Sequence, residues 1–194
     1  MTMRTLMPAL IAAGALFAGG CGDDDAGETG AGGNGVDRAF VAGMVPHHES
    51  AVEMAQIAVE RGSSAFVKEL AEDIIQTQTA EIATLRSEDE GLDTAGVEVG
   101  SLGVPGHMMG MDGDVATLKT AKPFDAAFLK LMIPHHEGAI EMANAELAKG
   151  KDRELRALAE DIMGVQRREI ADMKEHLGDE GSHDTTTSGG VDHG

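Results

Sequence analysis

The chain contains the same segment twice. Residues Asp37 to Leu85 and Asp125 to Met173 align at a constant offset of 88 without a gap. The identities are spread throughout, from Asp37/Asp125, Phe40/Phe128 and Met44/Met132 to Leu70/Leu158, Gln78/Gln166 and Glu81/Glu169. A duplicated unit of this length cannot bury its own apolar face, so two copies are expected to bury theirs against each other. The repeat therefore restricts the chain to folds built from two equivalent halves.

Each half reads as a helix pair. The first helix runs from about Asp37 to Arg61 and stops at Gly62, and the second starts after Ser63-Ser64 and reaches about Arg86. The equivalents are Asp125 to Lys149, a stop at Gly150, an N-cap at Asp152 and a helix to about Leu177. Pro46 and Pro134 fall inside the first helix of each pair, where a proline is expected to kink the helix or split it. Four helices give an all-α, ferritin-like four-helix bundle over residues 37–177, with repeats at 37–86 and 125–177 and a Gly-rich surface crossover at 87–124. The absence of Trp and Tyr, with only five Phe, fits helices packed through small side chains better than a sheet. The stretch 178–194 is polar and is expected to be a disordered tail.

The chemistry sits in the most unusual part of the repeat. Met44-Val45-Pro46-His47-His48-Glu49 recurs as Met132-Ile133-Pro134-His135-His136-Glu137. Phe40, Met44, His47, Ala51, Met54 and Ala58 are separated alternately by four and three residues, which is an inward-facing seam. The copy reads Phe128, Met132, His135, Ala139, Met142 and Glu146. His48 and His136 lie on the flanking stripe, so all four imidazoles border the core, with His47 and His135 more central. Gln78 and Gln166 face inward from the second helices with Glu81 and Glu169 nearby, whereas Glu49, Glu53, Glu137 and Glu141 read as solvated. A single inward His is usually a hydrogen-bonded core residue, and an inward Met is usually filler. Adjacent His pairs, repeated, with Met one turn away, point instead to a metal. Imidazole with thioether suits copper. The candidate ligands are His47, His48, His135, His136, Met44, Met54, Met132 and Met142. Ligation requires neutral imidazole, so binding is expected to weaken below a pH of about 6.5. A second Met cluster, His107, Met108, Met109 and Met111, lies in the crossover as a candidate metal-recruiting loop.

The N-terminus reads as an export signal over residues 1–20. Arg4 precedes an apolar run from Leu6 to Ala18, too short to span a membrane, and Ala18-Gly19-Gly20 lead to Cys21, the one Cys present. A sole Cys after small residues resembles a bacterial lipoprotein signal, in which Cys21 carries the lipid. An ordinary secretory signal is the alternative. Residues 21–36 then form a disordered tether, and the protein is placed in the cell envelope, outside the cytoplasm, anchored to the membrane. One Cys leaves no internal disulfide. The formal net charge of −19 repels nucleic acid.

The pattern Asp-x-x-Phe-x-x-x-Met-x-x-His-His, followed by Ala, Met-Ala, Leu-Ala-x-x-Ile and Gln-x-x-Glu-Ile, resembles the domain-of-unknown-function 305 family. It appears as Asp37, Phe40, Met44, His47, His48, Ala51, Met54, Ala55, Leu70, Ala71, Ile74, Gln78, Glu81 and Ile82, and again 88 residues on. The resemblance implies an exported ferritin-like bundle, and some members of the family are linked to periplasmic copper binding and resistance. The Glu-x-x-His pairs of di-iron bundles are missing, since Met44 and Met132 stand three residues before His47 and His135. No nucleophile arrangement, catalytic carboxylate pair or phosphate loop is found, so the chain reads as a non-enzyme. The leading reading is a lipid-anchored copper-binding protein that buffers, stores or transfers the ion. The alternatives are a helical interaction module with structural His pairs and, further off, a metal-dependent oxidoreductase. Self-association into a homo-oligomer stays open.

Overall fold

The computed structural model describes residues 32–111 and 115–183, with side chains to residue 178. Cys21 and the export signal lie outside them, as do most of the tether and the end of the tail. The architecture is all-α. Helices α1 (Gly35–Arg61) and α2 (Ala65–Thr94) form one pair, and α4 (Phe124–Lys149) and α5 (Arg153–His183) form the other. Between them lie a 3-10 turn at Gly106–Met108 and the one-turn helix α3 (Val115–Leu118). Packing is most extensive within each pair, then between α1 and α4, and slight between α2 and α5.

The helices begin where the sequence supplies oxygen caps. Asn34 caps α1 and forms a reciprocal capping box with Asp37. Ser64 caps α2 through the Val67 N–H, and Asp152 Oδ1 accepts from Glu154 N and Leu155 N at 2.9 and 3.0 Å. The repeated Asp does something further: each copy caps the other. Asp125 accepts hydrogen bonds from Ser63 N, Ser63 Oγ and Ser64 N at 2.9, 2.9 and 2.8 Å. Asp37 likewise accepts from Lys151 N and Asp152 N, both at 2.9 Å. Burial raises the Asp125 pKa, but these hydrogen bonds outweigh it and leave the group below the ordinary carboxylate value.

Several boundaries differ from the sequence reading. The prolines do not split their helices, and α1 and α4 run through Pro46 and Pro134. Both prolines are exposed, as are Ala42 and Lys130 four residues before them, so water can take up the carbonyls that the missing N–H groups leave free. Helix α2 continues eight residues beyond Arg86. Arg38 holds that extension through Asp89 and Asp93 at 3.0 and 3.1 Å, and Leu92 is buried against the core. Helix α5 likewise passes Leu177 and reaches His183, into the stretch expected as a tail. The crossover is not purely a surface loop. Leu102 and Leu118 are buried in it, and Gly100 N donates to Gly35 O at 2.7 Å.

Gly62 and Gly150 stop their helices with φ of −56° and −64°, so left-handed backbone is not what requires glycine there. Close approach is. A Cβ on Gly150 would stand 2.0 Å from Glu146 Oε1, and one on Gly62 would stand 2.7 Å from Ala58 O. Glu146 occupies the place that Ala58 holds in the first copy and is fully buried beside Asp37. Burial, reinforced by Asp37, pushes its carboxyl up to about 8.

The core lies in two clusters. One contains Met54, Ile74, Phe128 and Met132, and the other Phe40, Met44, Leu92, Met142 and Leu155. Each cluster draws residues from both copies, as a duplicated unit requires.

Candidate metal centre

Helices α1 and α4 run antiparallel. Asp37 at the start of α1 meets Lys151 just past the end of α4, Gly43 meets Met142, and Arg61 at the end of α1 lies over the Phe124 ring. Residues near the middle of one helix therefore meet the middle of the other, and those residues are the His pairs.

The four imidazoles form a row across this crossing, in the order His48, His47, His135, His136. The central rings are 3.7 Å apart between centroids, and the outer separations are 6.1 and 6.5 Å. All four side chains are at most 2 % exposed. No ring nitrogen of His47 or His135 makes a well-directed hydrogen bond, nor does Nδ1 of His48 or His136, although the Met109 and His135 backbones lie near the His47 ring and the His47 backbone near that of His135. At the outer ends, His136 Nε2 pairs with Glu169 at 2.7 Å. Glu81 stands 2.9 Å from His48 Nε2, off the line of a well-directed hydrogen bond. A carboxylate on Nε2 favours the tautomer with the proton there and leaves Nδ1 as a lone pair.

Buried polar nitrogens without partners cost roughly 1–3 kcal/mol each. Six such atoms on four adjacent rings are a concentrated cost that a bound cation would offset. Burial, then the neighbouring His48 and His136, holds the His47 imidazole down at about 3. Burial and then His47 also push His135 far below its ordinary value. The central pair is thus neutral, the form that ligates, at any physiological pH. For the central pair, ligation is thus expected to fade only in acid far stronger than about pH 6.5.

Met44 with Met142 packs in one core cluster, and Met54 with Met132 in the other. The candidate thioethers therefore flank the His row instead of joining it at one level. By helical rise Met44 and Met54 lie about 4 and 10 Å along the axis from His47. Gln78 and Gln166 are buried, each with an unpartnered Oε1. Among the described residues no three His, Cys, Asp or Glu side chains converge on one point, so a single ion would take nitrogen from the central pair and further donors from elsewhere. Glu81 and Glu169 are the carboxylates that matter. Glu49 and Glu137 point outward and pair with Arg86 and Lys174.

The Met-containing crossover does reach the site. Met109 is partly buried against the second core cluster, and its backbone lies against the His47 ring. Met108 and Met111 point outward, and His107 and Met108 line a surface pocket of about 600 Å³ together with Pro134, Glu137, Gly138 and Glu141.

The chain matches the family described as Domain of unknown function (DUF305), over residues 22–89 and 37–177. It belongs to that family. The fold is similar to that of CopM in its Cu(II)-bound form, at 31% identity over 74% of this chain and 96% of that one, with a TM-score of 0.63. CopM in the Ag-bound form is similar at 30% identity over 74% and 95%, with a TM-score of 0.62. A DUF305 fragment from Deinococcus radiodurans gives 34% identity over 74% and 95%, with a TM-score of 0.60. No curated protein matches the sequence.

Proposed function

We propose that this member of the DUF305 family binds copper at the crossing of α1 and α4, and that it buffers, stores or transfers the ion outside the cytoplasm. The reading is carried by one observation: every imidazole of the row keeps a buried nitrogen without a partner. Metal binding by CopM supports it. His47 and His135 supply nitrogen to the ion. His48 and His136, held at Nε2 by Glu81 and Glu169, keep an unpartnered Nδ1 as a further donor. Met44, Met54, Met132 and Met142 supply soft donors on either side, which biases the site toward Cu(I). His107, Met108 and Met111 offer a surface stop for an incoming ion. The protein acts as a carrier and not as an enzyme. It is exported and held to the membrane through a lipid on Cys21.

The test is copper titration of the purified protein against the variant in which His47, His48, His135 and His136 are all Ala. The parent should bind tightly, and the variant should keep at most weak binding through the crossover methionines. A folded variant that binds copper as tightly as the parent would make the His row structural and favour an interaction module.

A further inference from the structure

The two copies differ in size at the position just after the His motif. Position 138 is Gly in the second copy, and its counterpart in the first is Ser50. A Cβ on Gly138 would lie 2.1 Å from Met109 O, 2.2 Å from Met109 C and 2.6 Å from Gly110 N. The crossover backbone therefore rests directly on the bare α-carbon of α4. The contact is double. Gly110, at φ +68°, has no room for a Cβ either, since one would stand 2.3 Å from Pro134 O and 2.8 Å from His135 Cα. The same Met109 backbone lies against the His47 ring. One stretch of backbone thus touches α4 at Pro134, His135 and Gly138 and lies against the His47 ring, which is 3.7 Å from His135 between centroids.

We propose that Gly106–Met111 is a lid over the His row, seated by the missing side chain at Gly138, and that it controls how fast solutes reach His47 and His135. The observations fit a lid better than a fixed core segment. The covering peptide is anchored by one half-buried side chain, Met109, while His107, Met108 and Met111 are exposed. Positive φ at Gly110 within the segment, and at Gly103 just before it, puts glycine where the backbone enters left-handed conformation. With the lid seated, His47 and His135 are 1 % and 2 % exposed. The lid's control over metal entry rests on the copper reading, whereas its control over access does not.

The experiment uses the full chain without metal and reads acylation of each His by diethyl pyrocarbonate through peptide mass spectrometry. This reagent attacks neutral imidazole, so protection of the central pair reports access and not charge. His107 on the exposed loop serves as the positive control. Gly138→Ser, which installs the residue the first copy carries, should raise modification of His47 and His135 by about tenfold or more, because a protected group reacts in proportion to its open population. Modification of His48 and His136 should stay near the parent level, and the helical circular dichroism should be unchanged. Gly110→Ala acts on the same contact from the loop side and carries the test if Gly138→Ser does not fold. Unchanged protection in a folded variant would overturn the proposal. So would an equal rise at all four buried imidazoles, which would mean general loosening. Stopped-flow mixing with Cu(I) gives the second readout, with faster association expected in the variants. If the parent takes up no copper, the copper reading fails, and the acylation result still decides the lid.

Discussion

Glu146→Gln should stabilise the protein, and by an amount that grows with pH. Glu146 is fully buried, neither carboxyl oxygen has a well-formed hydrogen bond, and Asp37 lies beside it. Burial and then Asp37 raise its pKa from an ordinary 4.5 to about 8. The folded state therefore holds a proton that the unfolded chain releases above about pH 4.5. Stability from this group is full below that pH and is lost progressively as pH rises toward 8. By pH 7 the two states have diverged over about 2.5 pH units, an upper bound of about 3.5 kcal/mol at roughly 1.4 kcal/mol per unit. The effective dielectric inside a protein reduces this to about 1–3 kcal/mol. Gln keeps the shape, does not titrate and can donate an amide hydrogen to Asp37. Urea unfolding of both proteins from pH 5 to pH 8, followed by circular dichroism, measures the difference. The gap in favour of the variant should widen steadily across that range. A gap that stays constant with pH would refute the argument, because it would mean that Glu146 ionises alike in both states.

Three further outcomes are expected. Copper binding through His47 and His135 should persist at pH 5, since burial keeps both neutral there; with His48 and His136 replaced by Ala, the remaining affinity should change by less than about tenfold between pH 7 and pH 5, which isothermal titration at several pH values decides. Asp125→Ala removes three hydrogen bonds to the Ser63-Ser64 turn and should cost about 1–3 kcal/mol, read as a lowered Tm. Cys21→Ser should release the protein from the membrane fraction, and retention without lipid by mass spectrometry would refute anchoring.

Duplication, helix pairing and the inward seam were legible in the sequence because helical periodicity and an exact repeat are local, additive signals. The burial of Phe40, Met44, His47, Ala51, Met54 and Ala58 follows from their spacing alone. The cap at Asp152 was readable for the same reason. Glu81 and Glu169 were visible only as neighbours of inward glutamines, since nothing local says which His a residue on another helix will meet. The extension of α2 to Thr94 was hidden because Arg38, more than fifty residues away, anchors it.

The sequence by itself determined that two equivalent halves would place two His pairs and four Met on their buried faces. Only the tertiary structure decided that α1 and α4 cross antiparallel at those pairs. That crossing sets the imidazoles in a row, sends the methionines to either side, and lets each repeated Asp cap the opposite copy. The tertiary structure also decided that the crossover backbone would rest on α4, because Gly138 admits the Met109 backbone. The physical reason is that spacing along a chain fixes which face a side chain occupies. What that face meets depends on how whole helices pack, and on where a missing Cβ lets another backbone approach.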